Sequence, residues 1–170
     1  MNARRLYVVN LLMGLLPPTR CWAAKRWLLR WAGASVGQGV HVVSSVRIYT
    51  SGTLTIGDHT FIGHEVLIVG GAAPIAIGAR VDIGPRVLLV TGSHRIAADS
   101  DRAAGEGRSS PIVIGDGVWI GAGATVLGGV ELGGLSVVAA AGLVKESAPS
   151  RVLLAGVPAR IIRNLDRTGG

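Results

Sequence analysis

The sequence predicts an all-β fold, a parallel β-helix of about five turns, and three observations carry that expectation. The first is a period of six. From Ile114 the chain reads Ile-Gly-Asp-Gly-Val-Trp, Ile-Gly-Ala-Gly-Ala-Thr, Val-Leu-Gly-Gly-Val-Glu, Leu-Gly-Gly-Leu-Ser-Val, Val-Ala-Ala-Ala-Gly-Leu. The first place of each hexad is aliphatic and the fifth is small or β-branched. Neither a helix nor an alternating strand has that period, whereas a solenoid does. The second observation is that the register recurs upstream. Val36, Val42 and Ile48 head one turn, Ile56, Ile62 and Ile68 the next, and Ile77, Ile83 and Leu89 a third, before Ile114/Ile120/Val126 and Leu132/Val138/Val144. The third is composition: 26 glycines with only 4% aromatic residues fit tight turns filled by aliphatics better than a globular aromatic core.

Each element follows from the repeat or from its interruption. In the coil, the first-place aliphatic fills a narrow interior, the fifth-place residue fits a crowded corner, and glycines permit sharp bends. Residues 1–34 differ. A basic start (Arg4, Arg5) and an apolar run from Leu6 to Leu16 stop at Pro17-Pro18. This has the outline of a signal peptide without a small-x-small cleavage site, and the run is too short to span a bilayer. Thr19 is placed to cap a following helix that holds Trp22, Trp27 and Trp31, and those tryptophans are expected to cover the open first turn, as a solenoid end requires. A membrane-surface helix is the second reading of this arm, giving peripheral membrane contact through residues 1–34. Residues 35–150 form the coil. Extra residues enter only between the third hexad of one turn and the first of the next, so all of them leave one corner, and the long loop of residues 91–111 opens with Thr-Gly-Ser-His94. Residues 151–170 leave the rhythm as a short tail folding back, with residues 166–170 fraying.

Composition also bounds function. A chain of 170 residues is one domain with a sizeable core, and its +7 charge favours an anionic ligand or surface. Nucleic acid is the weaker partner, because the basic residues sit at the two ends without interleaved aromatics on the repeats. One cysteine, Cys21, excludes an internal disulfide and suits a reducing, cytoplasmic compartment.

Several stretches together carry a resemblance. The hexads, Thr-Gly-Ser-His94, Pro111-Ile-Val-Ile-Gly-Asp-Gly-Val-Trp119-Ile-Gly and Ala155-Gly156-Val-Pro158-Ala-Arg160 resemble the hexapeptide-repeat acyltransferases. The likeness extends from residue 35 to residue 163 and is to the sugar O-acetyltransferases: those of maltose and galactosides, and those that decorate bacterial surface polysaccharides. It implies a left-handed coil, against the usual right-handed crossover, and a homotrimer with acetyl-CoA bound between neighbouring prisms. It further implies an acetyl-CoA-dependent O-acetyltransferase acting on a sugar hydroxyl, in the cytoplasm or peripheral at the inner face of the membrane, with no metal.

The candidate site residues follow. Acyl transfer to a hydroxyl needs a base near neutrality, and His94 at the mouth of the long loop matches the family's catalytic histidine. Glu106, in Gly-Glu-Gly, stands where similar enzymes carry a glutamate that orients the histidine or contacts the acceptor. The resemblance makes Trp119 a wall of the cofactor groove and Ala122 and Ala140 backbone contacts to the pantetheine arm. Arg160 and Arg163 would meet the phosphates, where fixed charge is useful. Lys145 is a weaker phosphate candidate, since Val144-Lys145-Glu146-Ser147 departs from the family's Val-Thr-Lys-Asp. His64 falls where maltose and galactoside enzymes place an acceptor-binding asparagine, and Ala72 where they place an aspartate, so the acceptor is expected to differ from theirs. Two other functions stand beside this one: a non-catalytic β-helix scaffold or binding module, and a metal enzyme resembling the carbonic anhydrases of this fold, in which three histidines bind a metal between subunits, built on His59, His64 and a third histidine, for which His41 is a poor spacing match.

Overall fold

The computed structural model describes residues 1–165; residues 166–170, where fraying was expected, lie outside them. The chain is a left-handed parallel β-helix of triangular section with two helices packed on its first turn. Three parallel sheets form the walls. The first face stacks Ser35–Val36, Leu54–Ile56, Ile75–Ile77, Ile112–Ile114 and Glu131–Leu132. The second stacks His41–Val42, Phe61–Ile62, Asp82–Ile83, Trp119–Ile120 and Val137–Val138, and the third Arg47–Tyr49, Leu67–Val69, Leu88–Val90, Thr125–Leu127 and Leu143–Val144. Every hexad-heading residue named above, from Val36 to Val144, is buried. One aliphatic per strand therefore fills the interior, and the period of six is the spacing of strand centres around the prism.

The corners refine the expectation about glycine. Glycine is required where the chain enters a corner, for closeness rather than for bending: a Cβ on Gly115 would lie 2.6 Å from the Gly134 nitrogen of the next turn. The bend itself falls two residues later; there Gly39, Gly117 and Gly123 take left-handed φ of 63–70°, while His59, Arg80, Leu135 and Arg151 at one corner and Glu65, Arg86 and Ala141 at the next take φ of 53–60° without glycine. Such non-glycine residues cost about 1 kcal/mol or more each. They persist because their amides are tied to the turn below, as in Arg80 N–H to Asp58 O at 2.7 Å, Leu135 to Asp116 at 2.8 Å and Ala141 to Ala122 at 2.9 Å.

The third corner holds the insertions, between Tyr49 and Leu54, Val69 and Ile75, and Val90 and Ile112. The C-terminal end departs from the sequence reading. Ala148 bridges to Leu132 on the first face, and Val152–Gly156 adds a parallel strand to the second, burying Val152 and Leu154. The coil thus outlasts the readable hexads, because its last strand needs only alternate aliphatics. Reversal comes at Val157-Pro158, and Ala159–Asn164 pairs antiparallel with the strand before it.

The arm forms helices α1 (Ala3–Leu15) and α2 (Trp22–Trp31). Two expectations fail here. Thr19 is not the cap: α2 starts after Cys21, which has φ 58° and no side-chain cap bond. The turn is instead set by the Lys25 ammonium, which is buried and donates to the Pro17 and Pro18 carbonyls at 3.0 and 2.7 Å. Nor do all three tryptophans form the lid: only Trp22 packs against the core. Leu6, Val9, Met13, Leu28, Leu29 and Ala32 close the first turn. Trp22 stacks on His41 with ring centroids 4.7 Å apart, and Trp27 and Trp31 face solvent. The end of a prism lined by Val36, Val42 and Ile48 is narrow, and branched aliphatics match it better than indole rings do.

Candidate active site

The long insertion is an antiparallel ribbon, Gly92–Ile96 against Ala104–Ser109, rising from the third corner. Its base is fixed to the coil: Thr91 is buried, Ser109 Oγ donates to Thr91 Oγ1 at 3.1 Å, and the Ala73 amide donates to Ser109 Oγ at 3.2 Å. His94 lies opposite Gly107, with a bulge immediately beyond at Gly105 and Glu106. The bulge turns the Gly105 carbonyl toward the imidazole, 2.9 Å from Nδ1. A carbonyl can only accept, so Nδ1 carries the hydrogen, and in the neutral ring the lone pair is then on Nε2. An open cavity of about 410 Å³ surrounds the ring, lined by Gly71, Gly92, Ser93, His94, Gly107, Arg108 and Ser109.

Glu106 does not hold the histidine. Glu106 is in the bulge, outside the regular pairing, and the Gly105 carbonyl supplies the orienting contact. The Glu106 side chain is exposed and makes no hydrogen bond or ion pair among the described residues. Its position leaves it a candidate for acceptor contact only. Sequence reasoning missed both the Gly105 carbonyl and Arg108. The Gly-Glu-Gly stretch was the available signal, since a residue between two glycines in a ribbon marks a bulge.

The cofactor candidates gather elsewhere, on the second face and the corner between the second and third faces. Trp119, Ala122, Ala140, Pro85 and Leu153 line a groove of about 450 Å³, with Trp119 pointing outward between Asp82 and Val137. His64 lies beside it, in a depression of about 430 Å³ that shares Pro85 and Ala122 with the groove. Glu65 and Arg86 flank His64 as an ion pair at 2.8 Å, whose hydrogen bond raises the Arg86 pKa above its ordinary value. Arg163 is the antiparallel partner of Leu153, which places it at the groove's edge. Lys145 and Arg160 converge on one carboxylate, Glu146, at 3.0 and 3.5 Å. The Lys145 hydrogen bond first, then the charges of Arg160 and Lys145, hold the Glu146 carboxyl below the usual range. The departure from the family's Val-Thr-Lys-Asp therefore has a physical consequence: the extra glutamate occupies both cations.

Within one chain, then, His94 and Glu106 stand at one edge of the third face, while His64, Ala122 and Ala140 stand at the other. The histidines of the metal reading are likewise apart. His41 stacks on Trp22, His59 is in the corner between the first and second faces, and His64 is one corner further. Among the described residues no three His, Cys, Asp or Glu side chains gather as a metal would require.

Comparison with known proteins agrees with this architecture. No protein-family model matches the chain. It is 36% identical over 141 residues to WcaF of Escherichia coli K12, provisionally named a colanic acid biosynthesis acetyltransferase, covering 81% of this chain and 75% of that one. It is 33% identical over 139 residues to the galactoside O-acetyltransferase of the same organism, covering 82% and 68%. The hexapeptide-repeat acetyltransferase VCA0836 of Vibrio cholerae, solved with acetyl-coenzyme A, superposes with a TM-score of 0.74 at 34% identity, over 96% of this chain and 87% of that one. Likeness of this extent in sequence and in fold, across most of each partner's length, means that the chain belongs to the hexapeptide-repeat acetyltransferases.

Proposed function

We propose that the protein transfers the acetyl group of acetyl-CoA to a hydroxyl of a sugar, in the building of a surface polysaccharide or another glycoconjugate. It acts as a cytoplasmic homotrimer at the inner face of the membrane, with its active sites between protomers. The observation that carries the reading is the His94 ring, which lines a cavity and whose Nδ1 is committed to the Gly105 carbonyl, leaving Nε2 free of any protein partner among the described residues. In that tautomer Nε2 takes the acceptor's hydroxyl proton as the oxygen attacks the thioester carbonyl. The C–S bond then breaks, and the imidazolium returns its proton to the departing CoA thiolate. No covalent enzyme intermediate is needed, and Cys21, in the arm, is remote from the step. The galactoside relative's name supports a sugar hydroxyl as acceptor, and WcaF's name supports a surface-polysaccharide setting.

The trimer is supported by what the third face presents outward. Leu67, Val69, Leu88, Val90, Leu127 and Leu143 form an aliphatic ladder, whereas the first face shows Ser35, Thr55, Ala76, Val113 and Glu131. A face of that kind is expected to be covered. Turned toward a threefold axis, it brings its two edges against the neighbours, so His94 of one protomer meets the His64–Ala122 corner of the next. The site that a single chain divides is made whole by rotation. Acetyl-CoA would then lie along Trp119, Ala122 and Ala140, with its phosphates toward Arg160, Arg163 and Lys145.

The test is a mass-spectrometric screen of activated sugars and glycolipids incubated with the protein and acetyl-CoA, followed by kinetics on the acceptor found. His94→Ala should lower kcat by about 10²–10⁴-fold while calorimetric CoA affinity stays near wild type. Light scattering should give roughly three chain masses. A His94→Ala protein that acetylates its acceptor at the wild-type rate would end this mechanism.

A further inference from the structure

The distribution of charge along the chain is uneven in a way the active site does not explain. Residues 1–57 contain seven arginines and lysines and no aspartate or glutamate; Asp58 is the first acidic residue. The remaining 113 residues carry ten of each sign, so the whole net charge of +7 belongs to the arm and the first turn. Phosphate binding by CoA does not account for it, because the CoA candidates Lys145, Arg160 and Arg163 are in the balanced part.

The same segment shows solvent an apolar surface. The inward side of α1 is Leu6, Val9, Asn10 and Met13. Its outward side carries Tyr7, Leu11 and Leu15, four residues apart on one stripe and 72%, 59% and 77% exposed, with Val8 and Leu12 beside them. On α2, Trp27 is 62% exposed and Trp31 is partly so. Arg5 joins the two helices here, donating to the Trp31 carbonyl at 3.1 Å with its guanidinium 5.2 Å from the Trp31 ring. Arg4 and Arg20 are exposed and make no ion pair among the described residues. No helix among the described residues is long and apolar enough to cross a bilayer.

We infer that the outward side of the two-helix arm docks on an anionic lipid bilayer, with Tyr7, Leu11, Leu15 and Trp27 in the headgroup–acyl boundary and Arg4 and Arg20 against lipid phosphates. Aliphatic and aromatic side chains flanked by cations, with no acidic residue to repel a negative surface, are the chemistry of an interfacial helix. A protein partner would be expected to find both signs of charge at the rim of such a patch. This inference sharpens the membrane placement proposed above by naming the lipid chemistry and the side chains that read it. It also gains from the trimer, because cyclic symmetry sets three equivalent arms at one height along the axis, and weak contacts made together on one plane become strong ones.

The test needs no acceptor, so its outcome is independent of whether acetyl transfer is the activity. The full-length protein is sedimented with vesicles of phosphatidylglycerol mixed with phosphatidylcholine, and with phosphatidylcholine alone. The bound fraction should be roughly tenfold greater on the anionic vesicles, should fall as salt is raised, and should bring a blue shift of tryptophan emission. Leu11→Ser with Leu15→Ser, both solvent-facing, should remove binding without changing the melting temperature or the light-scattering mass, and Arg4→Glu with Arg20→Glu should weaken it. Wild-type protein that stays in the supernatant with both vesicle types overturns the inference. So does a Leu11→Ser/Leu15→Ser protein that still binds vesicles but has a changed assembly mass, which would assign this side of the arm to contacts between copies of the chain.

Discussion

Gly105→Ala is the perturbation that best isolates the device holding His94. A Cβ on Gly105 would lie 2.9 Å from the Ala97 Cβ and 3.1 Å from the Arg95 carbonyl oxygen. Neither neighbour is the free end of a flexible side chain, so the bulge must shift by a few tenths of an ångström, and the 2.9 Å contact from Nδ1 to the Gly105 carbonyl is lengthened. One hydrogen bond of this kind is worth about 0.5–1.5 kcal/mol net. If it is made in the transition state and lost in the variant, kcat should fall about 2- to 10-fold. The acetyl-CoA KM should be unchanged, because the groove is lined by Trp119, Ala122 and Ala140, on walls and corners of the coil that the Gly105 bulge does not shape. The melting temperature should barely move, since the ribbon is exposed and buries no interior aliphatic. Steady-state kinetics beside a thermal melt would read all three quantities. Wild-type kcat would refute the claim that Gly105 sets the tautomer. A loss as deep as that of His94→Ala, with an intact melt, would mean that the ribbon's whole position matters and not one carbonyl.

The cations at the groove's end yield two further expectations. Arg160→Ala with Arg163→Ala should raise the acetyl-CoA KM and leave the fold intact; an unchanged KM would move the phosphate site, with Lys145 next in line. Glu146→Gln should do the reverse, lowering that KM by freeing Lys145 and Arg160 from a shared carboxylate. Because the Glu146 carboxyl is held below its ordinary value, the pairing is fully present above the usual carboxylate range and is lost only as pH falls through the lowered value, so the comparison belongs at neutral pH. In the arm, Lys25→Met should cost no more than about 1 kcal/mol by thermal melt. Burial already pushes the Lys25 pKa down, and the two carbonyls it serves keep partners in Ser44. Lys25→Ala, which also leaves a cavity, should cost about 2–3 kcal/mol; equal effects would show that charge and not volume is what the arm needs.

What could be read from the sequence is what each residue does for its own strand. The interior of the prism takes one aliphatic per strand, so burial imposed the period of six, and all fifteen hexad heads are inside. Handedness could not be read, because a coil of either hand buries the same residues. Glycine accounts for the bends at Gly39, Gly117 and Gly123, but those at Arg80 and Leu135 could not be read, since their conformations are imposed by hydrogen bonds to residues about a turn away, at Asp58 and Asp116. Trp27 and Trp31 were misplaced for a related reason: four-residue spacing tells which residues share a side, not whether that side meets the coil or the solvent.

The site posed the same problem at a larger scale. His94 and His64 were both legible as chemistry, yet the coil holds them at opposite edges of the third face, too far round the prism to act on one substrate. The resolution lies in what separates them. The strip between the two edges is the Leu67, Leu88 and Leu143 ladder, an aliphatic surface of the kind that contacts between copies cover. If covering it is what drives assembly, the edges become the seams between protomers, and completing the site follows from burying the face. Assembly and catalysis should then fail together. A charge at Leu88, remote from every reacting atom, should abolish activity to the degree that it yields monomer, and a Leu88→Glu protein that is monomeric and fully active would place the whole catalytic site within one chain.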